Sequence, residues 1–160
     1  MDCDLIIRTA GQLLTCASPK PKRGREMADV GAINDGAVAI TNGKIVAAGS
    51  SNDILNGYNA KQVVDAEGRV IMPGFVDPHT HIVYAGELKI KGADYLEILT
   101  NGGGIISTVL NTRAASIDEL IASGVKRLDK MLACGTTACE IKTGYGLDLA
   151  SEIKILRVIE

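Results

Sequence analysis

The chain has 160 residues, 46% of them hydrophobic and 22% charged, and a formal net charge of −2, values that exclude a disordered or fibrous chain and predict a globular one. Seventeen basic residues against nineteen acidic ones build no large field of either sign, so neither nucleic acid nor an anionic membrane is an expected partner. No run approaches the ~18 consecutive apolar residues of a membrane span.

With no Trp and one Phe, the core must be aliphatic. The opening Met1-Asp2-Cys3-Asp4 has neither the basic region nor the apolar stretch of a secretory signal. Cys3, Cys16, Cys134 and Cys139 form no CxxC pair and sit in apolar contexts, which predicts buried, reduced thiols in a cytoplasmic protein.

Up to about Asp65 the chain reads as short strands and turns. Residues 4–8 form a short apolar run. Ala37-Val38-Ala39-Ile40 and Lys44-Ile45-Val46-Ala47-Ala48 flank Asn42-Gly43, a pair that accepts the positive φ of a type I′ turn, so a hairpin is expected there. The basic stretch Lys20-Pro21-Lys22-Arg23-Gly24-Arg25 lacks the interleaved aromatics of a base-stacking surface and reads as a solvated loop.

From Arg69 the pattern changes. Residues 70–77 read as one buried strand with Pro73 near its beginning. Ser116-Ile117-Asp118-Glu119 has the form of a capping box, and Ile117, Leu120, Ile121, Val125, Leu128 and Leu132 line one helical face that ends at Gly135. Residues 136–141 read as a strand, Gly144-Tyr145-Gly146 as a turn, and Ile153, Leu156 and Ile159 as the face of a second helix. This βα alternation predicts a parallel sheet with working groups at the C-terminal ends of its strands. A β/α barrel needs ~250 residues, and only about two of its eight units are present, so the chain reads as a fragment.

Both histidines of the chain fall in one triplet, His79-Thr80-His81. In an extended segment residues i and i+2 share a face about 6.5 Å apart, so two imidazoles at a strand end can converge as half of a zinc or iron site. The bland reading is a pair of polar residues at a strand-to-loop transition. Asp77, in the same register, is either a further ligand or an acceptor that fixes an imidazole. Gly102 to Gly104 is followed by no GK[ST] or GxGxxG pattern, so it is not a phosphate loop.

Met72-Pro-Gly-Phe-Val-Asp-Pro-His-Thr-His81 resembles the first barrel strand of the amidohydrolase superfamily. Gly102-Gly-Gly-Ile-Ile-Ser-Thr-Val109, Thr112-Arg-Ala-Ala-Ser116, Arg127-Leu-Asp-Lys-Met-Leu132, Gly135-Thr-Thr137 and Glu140-Ile-Lys-Thr-Gly-Tyr-Gly-Leu147 narrow the resemblance to the imidazolonepropionase family, as do Asp4-Leu-Ile-Ile7 and Asn34-Asp-Gly-Ala-Val-Ala-Ile40. The resemblance implies an α/β protein: residues 1–66 as the N-terminal portion of a small β-sandwich domain, and residues 67–160 as the first βα units of a metal-dependent-hydrolase TIM barrel.

It also implies hydrolysis of the cyclic amide of 4-imidazolone-5-propanoate, a small-molecule substrate, to N-formimidoyl-L-glutamate, with one Zn²⁺ or Fe ion per complete subunit and a homodimer as the assembly. His79 and His81 match the metal ligands and Tyr145 a substrate contact. Lys142 is read as an ordinary lysine paired with Glu140. The catalytic acid–base groups and remaining metal ligands are expected beyond residue 160, so the isolated chain is expected to be inactive.

Where the family carries an arginine for the substrate carboxylate, Ile82-Val-Tyr-Ala-Gly-Glu87 runs straight into Leu88-Lys-Ile-Lys-Gly-Ala-Asp-Tyr95, a segment about six residues shorter. Lys89 or Lys91 offers a charge there without the planar fork. The alternatives are another amidohydrolase, such as a nucleobase deaminase or a dihydroorotase-like enzyme, or a non-catalytic fragment. A partial barrel leaves strand edges and an apolar helix face uncovered, which predicts self-association.

Overall fold

The computed structural model describes residues 1–85 and 104–160. It divides into two compact units, Met1–Pro73 and Gly74–Glu160.

The first unit is built on β1 (Asp2–Leu14), β2 (Ala32–Thr41), β3 (Lys44–Ser50), β4 (Asn59–Asp65) and β5 (Val70–Ile71), with a short helix, α1 (Ser51–Gly57), between β3 and β4. The sheet order is β3-β2-β1-β4, and β5 pairs with the distal half of β1. β1–β2 and β2–β3 are antiparallel, whereas β1–β4 and β1–β5 are parallel. The expected hairpin forms: Asn42 and Gly43 take φ of 52° and 72° between β2 and β3.

β1 is longer than its apolar run because a bulge between Ile7 and Ala10, with Thr9 at φ 57°, lets one strand serve two neighbours in turn. The turn joining β4 to β5 lies so close to β1 that a Cβ on Gly11 would sit 2.3 Å from the Gly68 carbonyl oxygen. Alternation along β2 gives both faces of the sheet a core: Ala37 and Ala39 pack with Cys3, Ile6 and Ile54, while Val38 packs with Ala10, Leu13 and Ala66. Ser50 caps α1 by accepting the Asp53 N–H. The basic stretch is an exposed loop leading into a 3₁₀ turn, Gly24–Ala28, with Lys20 near Glu26 and Lys22 near Asp29.

The second unit holds the parallel pair β6 (Phe75–Thr80) and β7 (Thr136–Ile141) with α2 (Ile105–Ala114), α3 (Ile117–Ala133) and α4 (Leu149–Ile159). The capping box is complete, with Ser116 accepting the Glu119 N–H and Glu119 accepting the Ser116 N–H; Gly135 at φ 91° follows the Cys134 cap. Val83, Leu120 and Ile155 form this unit's core.

The expected strand over residues 70–77 is two strands, one in each unit. Pro73 has no N–H to donate, and Met72-Pro73-Gly74, outside any regular element, separates β5 from β6. Nor is β6 buried, since Phe75 and Val76 are 53% and 69% exposed. Of the apolar face predicted on α3 only Leu120 is buried; Ile117, Ile121, Val125, Leu128 and Leu132 are exposed. The thiols also differ from expectation: Cys3 is buried and Cys139 half-buried, but Cys16 and Cys134 are exposed because they lie in a loop and at a helix end; all four are free. Among the described residues no helix is long and apolar enough to cross a membrane.

Candidate metal and substrate site

The two strands of the second unit are parallel, so the loops leaving them emerge at the same end. β6 leads to His79 and His81, and β7 leads through Lys142 and Thr143 to Tyr145. The ends are tied by the Lys142 N–H, which donates to the Thr80 carbonyl at 2.8 Å, and by the Thr80 hydroxyl, which donates to the Glu140 carbonyl at 2.6 Å.

Within this frame the His79 and His81 ring centroids are 5.4 Å apart, with the planes tilted by 59°. His79 is exposed and His81 half-buried. Asp77 is engaged with the backbone, its Oδ1 accepting the His79 N–H at 3.2 Å, an Asx turn that shapes the strand exit. His81 Nδ1 is buried and without a hydrogen-bond partner among the described residues. A buried ring nitrogen with that vacancy costs free energy unless a ligand takes it up, and this is the observation that fits the histidine pair to a metal ion. Among the described residues no third His, Cys, Asp or Glu joins them, so the pair fits half of a coordination sphere.

Tyr145 meets His81 edge-on, with ring centroids 5.2 Å apart and planes at 75°. Gly144, at φ 127°, brings backbone to the same imidazole; a Cβ there would lie 3.6 Å from His81 Cε1. The aromatic chain continues through Tyr84, 5.5 Å from Tyr145, to Arg127, whose guanidinium carbon stands 3.9 Å over the Tyr84 ring while Nη1 donates to the Ile82 carbonyl at 2.7 Å. The structure thus brings His79, His81 and Tyr145 together.

Lys142 lies 2.5 Å from Glu140 Oε1, and its ammonium is the foremost cause that holds the Glu140 carboxyl below its ordinary value. Gly102 and Gly103 of the glycine run, Lys89, Lys91 and most of the shortened segment lie outside the described residues.

Sequence reasoning gave no role to Tyr84, Arg113, Arg127 or Glu152. Arg127 lies three residues after Gly124 and seven after Leu120, on the same face of α3, which was the available sign that it faces inward. For Glu152 the available signal was an acidic residue in the first turn of the helix after a Gly-x-Gly loop.

The model of the amidohydrolase family matches residues 62–130. The imidazolonepropionase of Chloroflexus aggregans is 48% identical over 164 residues, which takes in 98% of this chain and 38% of that protein. That of Alkaliphilus oremlandii is 48% identical over 169 residues, with 99% and 40% covered. The chain therefore spans about two-fifths of the length of the curated relatives it matches. Among solved structures, an adenosine deaminase from Xanthomonas campestris with bound zinc superposes at a TM-score of 0.65 and 21% identity, covering 98% of this chain and 32% of that one. The guanine deaminase of E. coli gives 0.61 and 24%, covering 85% and 30%. At these identities the structural likeness speaks for the fold, that of amidohydrolase TIM-barrel enzymes of which this chain matches about a third. By sequence the chain is similar along nearly its whole length to imidazolonepropionases, with residues 62–130 matching the amidohydrolase family.

Proposed function

We propose that the chain supplies two metal-ligating histidines, His79 and His81, and a substrate-contacting tyrosine, Tyr145, to an imidazolonepropionase that opens the ring of 4-imidazolone-5-propanoate to N-formimidoyl-L-glutamate. The observation that carries this reading is the convergence of the three rings at the C-terminal ends of two parallel strands, with a ring nitrogen of His81 buried and unpartnered among the described residues. The 48% identity to imidazolonepropionases supports the substrate class.

A divalent metal, zinc or iron, supplies when bound a Lewis acid that lowers the pKa of a water to about 7. His79 and His81 hold the ion from a strand end whose direction the Asx turn at Asp77 sets. The Tyr145 phenol, the polar tip of a ring packed on His81, orients the substrate by hydrogen bonding. No described residue is assigned the acid–base role. Residues 1–66 belong, in this reading, to a β-sandwich domain and residues 67–160 to the opening units of the barrel. The free cysteines suit a cytoplasmic setting, and the complete enzyme is a homodimer.

The test is hydrolysis of imidazolonepropanoate by the chain alone and by the chain fused to the complementary three-fifths of a relative such as the Chloroflexus aggregans enzyme. The fusion is expected to hydrolyse the substrate and the chain alone to be inactive. A fusion that folds, binds metal and deaminates nucleobases instead would replace the reading.

A further inference from the structure

The loop that carries Tyr145 is anchored from a residue further along the chain. Glu152, in the first turn of α4, accepts with Oε1 the N–H groups of Gly146 at 2.7 Å and Leu147 at 2.8 Å, and with Oε2 that of Gly144 at 2.8 Å. Three amides that bracket Tyr145 on both sides thus converge on one carboxylate. Bonds to an ionised acceptor are about twice as strong as neutral ones. Burial pushes this carboxyl up, but the Leu147 amide, the Thr143 side chain and the Gly146 and Gly144 amides together hold it below the ordinary glutamate range.

Arg113 of α2 grips the same loop through groups of opposite polarity. Its Nε donates to the Gly146 carbonyl at 2.6 Å and lies 2.9 Å from the Asp148 carboxylate. Gly146 is seated so closely that a Cβ would lie 2.8 Å from the Glu152 nitrogen and the Ser151 carbonyl carbon. The glycines of a Gly-Tyr-Gly segment leave its backbone unusually free, and a tyrosine ring has only two side-chain torsions, so fixing the flanking backbone restricts where the ring can point.

We infer that Glu152 is a positioning residue which, through the amides of Gly144, Gly146 and Leu147, holds Tyr145 edge-on against His81. Its consequence for substrate binding rests on the proposed role of Tyr145 as a substrate contact; the contact with His81 itself does not.

Histidine-selective NMR of the 160-residue chain tests it, because His79 and His81 are its only histidines. Spectra are recorded below the concentration at which the chain self-associates. The Tyr145 ring current displaces the His81 signals, and Tyr145→Leu gives their positions without it. Glu152→Ala is expected to move the His81 signals to the Tyr145→Leu positions with the helical circular dichroism retained. The near-isosteric Glu152→Gln, which keeps one acceptor oxygen, is expected to move them part of the way and decides the matter should the alanine variant fail to fold.

His81 signals that stay at wild-type positions in the folded Glu152 variants, whether or not Tyr145→Leu moves them, would overturn the inference. Zinc titrated into the wild-type chain reads the metal assignment separately. A failure of zinc to perturb His79 and His81 would remove that assignment and leave the Glu152 comparison standing.

Discussion

His81 and Tyr145 meet edge to face, 5.2 Å between ring centroids, although 63 residues separate them and neither lies within a regular element. An aromatic contact of this geometry contributes about 0.5–1.5 kcal/mol beyond the area it buries. Tyr145→Leu is therefore expected to lower the unfolding free energy of the chain by about 1 kcal/mol in urea, whereas Tyr145→Phe keeps the ring and costs less. In the complete enzyme, formed by fusion to the remaining three-fifths of a relative, Tyr145→Phe is expected to raise KM for imidazolonepropanoate.

Acid should loosen the second unit in a defined direction. The backbone N–H and hydroxyl of Ser116 hold Glu119 below the ordinary glutamate value of 4.5, and Glu152 is lowered as well despite the upward push of burial. A carboxylate with a depressed folded-state pKa stabilises the fold above its unfolded value and loses that contribution as pH falls through the folded one. Stability should thus be level above about pH 5 and fall below the ordinary glutamate value. The fall should be shallower in Glu119→Gln and Glu152→Gln, as read from urea midpoints across pH. A parallel decline in wild type and both variants would contradict this.

Lys154 closes the end of α2 by donating to the carbonyls of Thr112, Arg113 and Ala115 at 2.8, 2.9 and 2.8 Å. Helices leave their last carbonyls without partners, and an ammonium there also meets the negative end of the helix dipole. Lys154→Met keeps most of the stem and leaves those oxygens unpaired. It should destabilise the chain by roughly 1–3 kcal/mol, measured by urea unfolding. A change under a few tenths of a kcal/mol would mean that water replaces the ammonium fully.

The exposed face of α3, with Val125 49% and Leu132 61% accessible, predicts reversible self-association of the isolated chain. Sedimentation velocity should show species larger than a monomer, and Val125→Lys with Leu132→Lys should return the chain toward one. A compact wild-type monomer at all concentrations would defeat this.

The sequence displayed those elements whose cause is local. Asn42-Gly43 carries its turn in its own backbone preferences, Ser116 and Glu119 carry a helix start in four residues, and the histidine triplet carries its convergence in the two-residue period of a strand. What it concealed was set by partners distant in the chain. α2 opens with Ile105, Ile106, Thr108 and Val109, β-branched residues that suggest a strand, and its C-terminal carbonyls are closed by Lys154 from α4. α1 stands where the sequence read as strands and turns; it is short, and Ile54 is its one buried apolar side chain. The break at Pro73 falls at the boundary of the two units, and Glu152 bonds to a loop five to eight residues before it, which no periodicity announces.

The central claim is that His79 and His81 together hold a metal ion, and zinc bound by the purified chain at equilibrium, read by dialysis against a series of free zinc concentrations, tests it most directly. The wild-type chain should bind zinc, weakly because two imidazoles are half a coordination sphere. His79→Ala and His81→Ala should each lose it while keeping wild-type circular dichroism. Equal zinc content in the wild type and both variants would contradict the assignment.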